Sequence, residues 1–169
     1  IAIDTNDNVI NDVSHKVNYS INANKSDVTE TINFLTSGLG VDKVIIAAAT
    51  KSNKIISDSA KICRVRGNII LVGVTGLDIN RSDFYEKEIT FQVSCSYGPG
   101  RYDELYEQNG IDYPYGHVRW TENRNIQLIV DLITRRAINP NEYFDGSIPF
   151  DSILSIYDKI STNKKKQNL

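Results

Sequence analysis

Methionine is absent from all 169 residues, position 1 included. The chain opens directly into Ile1-Ala2-Ile3-Asp4, an apolar, strand-like run ending in a carboxylate, with no secretory signal pattern ahead of it. It therefore reads as a piece of something longer. Cysteine is nearly absent too. Cys63 and Cys95 are too few for a disulfide framework and lack metal-ligand spacing, so a reducing cytoplasm is the expected compartment. The two histidines, His15 and His117, are far apart, and no metal site is expected. No apolar run approaches the roughly 20 residues that cross a bilayer, so no membrane association is expected. There is no basic excess: 19 Lys and Arg stand against 21 Asp and Glu. Nucleic acid is not an expected partner, because such binding rests on neutralising phosphates. What remains is 40% hydrophobic with nine Tyr and a net charge of −2. That excludes a disordered chain and suffices for one sizeable core.

Short apolar runs alternate with helical patterns. Ile1 to Ile3 reads as a strand, and His15 to Tyr19 as a short second one. Ser26 to Ser37 reads as a helix, with Ser26 as N-cap, Val28, Ile32 and Leu35 on one face, and Gly38 as its stop. Lys43 to Ala49 is continuously apolar, which fits a parallel strand buried on both faces. Ser52 to Arg64 is helical again, with Ile55, Ile56, Ala60 and Cys63 on one stripe. Arg64 and Arg66 are expected at its negative end, with Gly67 as breaker. Asn68 to Gly73 is a second apolar strand. In Glu88 to Ser96, Ile89, Phe91, Val93 and Cys95 alternate with polar residues, as in a strand with unlike faces. A helix over about 121–136 is expected to turn Ile126, Ile129, Val130 and Ile133 inward. A last helix from near Asp151 carries Ile153, Leu154, Tyr157 and Ile160 on one side. The expected organisation is a partial dinucleotide-binding domain over 1–96, a Tyr- and Gly-rich loop over 97–120, a C-terminal segment over 121–160 and a polar tail or linker over 161–169.

Strands alternating with helices through short turns imply an α/β fold, a Rossmann-like, doubly wound and mostly parallel sheet. In such sheets ligands bind beyond the carboxyl ends of the strands. Those ends carry Asp4, then Ala48, Ala49 and Thr50, then Val72, Gly73 and Val74. An acid ending the second strand of such a fold can accept two hydrogen bonds from an adenosine ribose and repel a 2′-phosphate, which favours NAD over NADP. The same carboxylate could equally be a solvated strand end. The alanines could make room for a flat ring or simply pack a helix on the sheet. Gly73 admits a close approach to the backbone, or only a turn.

The glycine-rich turn that holds a pyrophosphate is missing: no G-x-G-x-x-G and no G-x-x-x-x-G-K-S/T occurs. The first strand of this fold lies in the middle of the sheet. Without it and its turn, two half-sheets would share no partner.

The span Gly40 to Ile160 resembles the C-terminal part of the medium-chain, zinc-type alcohol and threonine dehydrogenase superfamily. Val41-Asp42-Lys43-Val44-Ile45 is similar to the family's opening of the fourth strand, and Arg66 to Val74 to its R/K-x-G-G/R-x-I/V-V-x-V-G strand. Tyr85 to Thr90 is similar to its K-E-L/I-T segment, and Pro149 to Tyr157 to its terminal P-L/F-D/E segment, with Ile156 in place of the usual Ala. Ile3-Asp4 and His15 to Tyr19 fit its V-D and D-H-V-I-N-Y segments, with a shorter stretch between them. Ser96 to Asp103, Gly110 to Pro114 and Val118 to Glu122 resemble a threonine-dehydrogenase-like subgroup. There a second oxidoreductase domain often follows, and the proteins are associated with bacterial sugar and surface-polysaccharide metabolism.

The resemblance implies a parent enzyme that moves a hydride between NAD and an alcohol, polyol or sugar carbon, with this chain inactive alone. Asp4 would hold the adenosine ribose. Ala48, Ala49 and Thr50 would lie near the adenosine. Val72, Gly73 and Val74 would line the nicotinamide, and Ser94 and Cys95 would close the site. Any zinc, the proton relay and the pyrophosphate loop would lie upstream, and the catalytic residues are unknown. The strand Ile89 to Cys95 could pair across a homodimer, as in relatives.

The loop from Tyr97 to Arg119 holds five of the nine Tyr, and aromatic enrichment argues against disorder. Two readings stand. In one it is a substrate-facing lid in which Arg101, Tyr102, Tyr113, His117 and Arg119 meet a polar or anionic small molecule, sugar-related if the subgroup is right. In the other it is a self-packed Ω-loop with no ligand. Two rival functions also stand: a non-catalytic nucleotide-binding or interaction domain, and a methyltransferase-like α/β domain. A reversed last strand would support the methyltransferase; a parallel one would not.

Overall fold

The computed structural model describes residues 1–144 and 146–167. Five strands, all in parallel pairs, form two separate sheets. Strand β1 (Ala2–Asp4) pairs with β2 (Ser20–Asn22), and β3 (Val41–Ile46), β4 (Cys63–Leu71) and β5 (Thr90–Val93) form the second sheet in that order. Among the described residues no strand lies between β1 and β3, so each keeps an unpaired edge. Two half-sheets that share no strand are what the sequence reading expects. Because β5 runs parallel to β4, the methyltransferase-like alternative loses its distinguishing strand.

Helix α1 (Asp7–Val13) joins β1 to β2, and Asn6 caps it by accepting from the Asn8 N–H at 2.9 Å. The second strand lies at Ser20–Asn22, not at His15 to Tyr19, which forms the turn after α1. Helix α2 (Val28–Leu35) is capped by Asp27 rather than Ser26, through the Glu30 N–H at 2.9 Å. Gly40 then turns the chain into β3 at φ +83°; a Cβ there would sit 2.7 Å from the Ile62 carbonyl oxygen, so only glycine fits.

Helix α3 (Lys54–Ile62) ends earlier than its apolar stripe suggests. Cys63 already belongs to β4, and Val41–Lys43 faces Cys63–Asn68 across a bulge. Arg64 and Arg66 therefore sit on this bulge rather than at a helix end. There Arg64 pairs with Asp42 at 2.5 Å and Arg66 with Glu88 at 2.7 Å. Gly67 lies inside the strand and does not break a helix.

The main core joins Ile46, Ile56, Ala60, Cys63, Ile69 and Leu71, with Phe84, Ile89 and Phe91 against it. Phe84 comes from α4 (Arg81–Tyr85), a short helix with no clear periodicity in sequence, and meets Phe91 edge-on at 6.1 Å. A second cluster of Ile21, Ile32 and Ile62 joins β2 to α2 and α3 and so ties the two half-sheets together. Each such isoleucine contributes about 1.5–3 kcal/mol by leaving water.

Two burial expectations fail. Continuous apolarity in β3 implies two covered faces, yet Ile45 is 70% exposed while Ile46 is 3% exposed. The helices cover one face of this sheet, and successive side chains point to opposite faces. Helix α6 (Glu122–Thr134) likewise leaves Ile126, Ile129, Val130 and Ile133 exposed. Helix α7 (Ile153–Gln167) follows a 3-10 turn at Phe150–Ser152 and exposes Leu154 and Tyr157. It continues through the Lys164 to Lys166 run, so the expected linker over 161–169 is helical as far as Gln167; the last two residues lie outside the described ones. No helix among the described residues is long and apolar enough to cross a membrane.

Candidate functional site

Four strands of this chain, each parallel to the strand it pairs with, end in residues singled out from sequence. Asp4 closes β1. Its Oδ1 accepts from the Asn6 N–H at 2.8 Å, a local turn that orients the carboxylate. Beyond β3, Ala48, Ala49 and Thr50 are all exposed, so the alanines are not packed under a helix. Beyond β4, Val72 and Val74 are exposed, and beyond β5 so are Ser94 and Cys95.

The structure joins two of these groups directly. Ala49 and Val74 form an isolated parallel bridge. The Thr50 N–H donates to the Val74 carbonyl at 2.8 Å, and the Val74 N–H to the Ala48 carbonyl at 3.1 Å. The Gly73 N–H donates to the Ile46 carbonyl at 2.9 Å. A Cβ on Gly73 would lie 2.1 Å from the Ala48 carbonyl oxygen. Glycine is therefore required here for the approach of one strand end to another within the chain. With Val74 held on both sides, the carbonyls of Val72 and Gly73 are left accepting no hydrogen bond from the described residues. The Ser94 N–H is also committed, to the Leu71 carbonyl at 2.8 Å. Among the described residues no hydrogen bond joins Asp4 to these groups.

Two hydroxyls with no pattern in sequence stand out. Thr75, next to Val74, and Thr121, before α6, each have a buried Oγ1 with no partner among the described residues. A lone threonine in a polar loop gives no periodic signal, so neither was legible.

The loop after β5 is ordered by its own side chains and contains α5 (Glu104–Glu107). Asp103 caps α5 by accepting from the Leu105 N–H at 3.0 Å and also accepts the Tyr113 hydroxyl. Tyr113 stacks on Tyr106 at 5.8 Å between centroids. Arg101 pairs with Glu107 at 2.6 Å and lies over Tyr102 at 4.7 Å. Arg124 of α6, missed in the sequence, reaches back to the carbonyls of Val118 at 2.5 Å and Tyr113 at 2.7 Å and to Asp112 at 2.9 Å. Tyr113 and Arg101 are thus engaged within the loop, as in a self-packed Ω-loop. His117 is exposed in a turn. Arg119 is exposed, over the rings of Tyr115 at 4.5 Å and Trp120 at 4.0 Å.

No protein-family model matches the sequence, and no curated protein matches it either. Solved structures do. The chain is similar to the alcohol dehydrogenase TADH from Thermus sp. ATN1, with TM-score 0.68 and 15% identity over 97% of this chain and 41% of that one. It is similar to a zinc-dependent alcohol dehydrogenase 2 from Streptococcus pneumonia, with TM-score 0.68 and 18% identity over 98% of this chain and 41% of the other. It is also similar to an enzyme of E. coli CFT073 described as a short chain alcohol dehydrogenase complexed with NADH. There the TM-score is 0.67 and the identity 14%, over 94% of this chain and 40% of that one.

This is the Rossmann-type fold of the alcohol dehydrogenases.

The likeness spans nearly the whole of this chain and about two fifths of the length of each of those enzymes. At these identities it concerns the fold. In Rossmann terms, β1 and β2 are the second and third strands, and β3, β4 and β5 the fourth to sixth.

Proposed function

We propose that this chain is the C-terminal part of an NAD-dependent alcohol, polyol or sugar dehydrogenase of the medium-chain kind, contributing most of its dinucleotide site. One observation supports this above the others: the acid that ends the strand in second place of a Rossmann order is Asp4, with its carboxylate oriented by the Asn6 N–H. Asp4 is the residue to accept hydrogen bonds from the adenosine ribose hydroxyls. Its charge disfavours a 2′-phosphate, which makes NAD the preferred cofactor over NADP.

The residues present fit a nicotinamide cofactor at the other strand ends. The free carbonyls of Val72 and Gly73 and the orphaned hydroxyl of Thr75 offer polar groups the chain does not use itself. The exposed alanines at 48 and 49 leave a low shelf on the adenosine side. The bound cofactor supplies the hydride chemistry; the chain orients it and holds its sugar and amide. Among the described residues no group of three or more His, Cys, Asp or Glu is placed to hold a metal ion, so no zinc role is assigned to them.

Titration with NADH and NADPH tests the reading. The protein should bind NADH more tightly, and Asp4→Ala should narrow the difference. Equal affinity of the unaltered protein for both cofactors would remove the role of Asp4. Dehydrogenase activity of the 169-residue chain by itself would contradict its place as part of a larger enzyme.

A further inference from the structure

Most arginine side chains in and around the Tyr-rich loop have carboxylate partners. Arg101 pairs with Glu107 and Arg124 with Asp112. Arg119 does not: among the described residues it makes no ion pair and no side-chain hydrogen bond, only the two ring contacts, to Tyr115 at 4.5 Å and Trp120 at 4.0 Å. Arg124 also lies over Tyr115, at 5.3 Å. Of the two guanidinium groups on that ring, one is neutralised by Asp112 and the other carries an unpaired positive charge.

An arginine in this setting differs from a solvated surface cation. The two rings limit where the guanidinium can go, and stacking uses its faces while leaving its N–H edge free. That edge presents paired donors in the geometry of a carboxylate or phosphate. The support beneath is rigid. Arg124 clamps the carbonyls of Tyr113 and Val118, the Asn123 N–H donates to the Tyr106 hydroxyl at 2.7 Å, and the Glu122 N–H donates to the Pro99 carbonyl at 2.8 Å. Trp120 is followed by Thr121, which is fully buried. The loop begins at Tyr97, after Ser94, Cys95 and Ser96, which follow the carboxyl end of β5.

We propose that Arg119, held by Tyr115 and Trp120, is a binding residue for the oxyanion of a small ligand, a carboxylate or a phosphate borne on a sugar-sized molecule. That the ligand is the substrate rests on the dehydrogenase reading; that Arg119 binds an oxyanion does not. The interaction recognises the ligand, and the remaining carbons are left to the cofactor side of the site.

Trp120 is the only tryptophan in the chain, so its emission reports on the ring that Arg119 covers. The experiment titrates the protein with glucuronate, with glucose 6-phosphate and with neutral glucose, each at matched sodium chloride. A saturable change in Trp120 emission is expected with glucuronate, glucose 6-phosphate or both, and none with glucose. The two charged probes tell carboxylate from phosphate. Arg119→Gln, with unchanged circular dichroism, should weaken the response by at least about tenfold. Arg136→Gln, which removes another exposed arginine of equal charge, should leave it intact. No response beyond that of sodium chloride, or equal responses in Arg119→Gln and the unaltered protein, overturns the proposal. NADH and NADPH titrations of the same samples are read separately: oxyanion binding beside equal affinity for the two cofactors removes the role of Asp4 on which the dehydrogenase reading leans, and leaves this one standing.

Discussion

The ammonium of Lys87 donates to the carbonyl oxygen of Cys63 at 2.9 Å, where α3 becomes β4. The same ammonium also reaches the carbonyls of Ala60 at 3.0 Å and Lys61 at 2.7 Å. One side chain thus satisfies three acceptors at a helix end that runs straight into a strand without a glycine cap, and its positive charge meets the negative end of the helix dipole. Lys87→Met should therefore cost about 2 kcal/mol of stability, as hydrogen bonds to charged groups do. Urea unfolding followed by circular dichroism checks this; an unchanged midpoint would show the contacts to be idle.

Gly73 governs the approach of the β3 and β4 ends. A Cβ would lie 2.1 Å from the Ala48 carbonyl oxygen, and backbone there cannot move without breaking the Val74–Ala48 and Thr50–Val74 hydrogen bonds. Gly73→Ala should destabilise the chain by about 2 kcal/mol, within the range for overpacking. It should also lower NADH affinity, because the same bonds shape the proposed nicotinamide edge. Unfolding and NADH titration are measured on the same variant.

The two thiols should separate by reactivity. Cys95 is exposed, whereas Cys63 is 1% exposed and burial pushes its thiol pKa up, against the opposing charges of Lys87 and Arg64. Only the thiolate reacts. A thiol-labelling time course near neutral pH should show one fast equivalent from Cys95, and a second only on unfolding. Two fast equivalents would place Cys63 outside the core.

The Asp103–Tyr113 contact makes the loop sensitive to pH at both ends of the range. The Tyr113 hydroxyl, then the N–H groups of Tyr106 and Leu105, hold the Asp103 carboxyl below its ordinary value. Asp103 in turn raises the phenol of Tyr113. A lowered carboxyl stabilises the folded loop at pH above the unfolded carboxylate value, and this is lost as pH falls through the folded one. A raised phenol stabilises it below the unfolded tyrosine value, and this is lost as pH rises through the folded one. Trp120 emission should therefore change at acid and at alkaline pH and stay flat between them. Tyr113→Phe should move the acid transition upward, toward an ordinary carboxylate.

The amino-acid order alone was enough to read alternating strands and helices, and with them the Rossmann-type class. The runs Lys43 to Ala49 and Asn68 to Gly73 and the stripe Ile55, Ile56, Ala60 and Cys63 are local patterns whose period follows from backbone geometry. The carboxyl-end residues Asp4, Ala48 to Thr50 and Val72 to Val74 were legible for the same reason, since a strand's end is where its apolar run stops. Tertiary structure decided what depends on distant partners. The bulge that takes Arg64 and Arg66 off a helix end arises from pairing with β3. The exposure of Ile45 and of the α6 stripe arises from which faces the other elements of the chain cover. The pairing of Arg101 and Arg124, and the lack of a partner for Arg119, turn on side chains that meet only after the loop closes. Local period is written in neighbouring residues; the partner of a charge or of a strand edge is chosen by the folded chain.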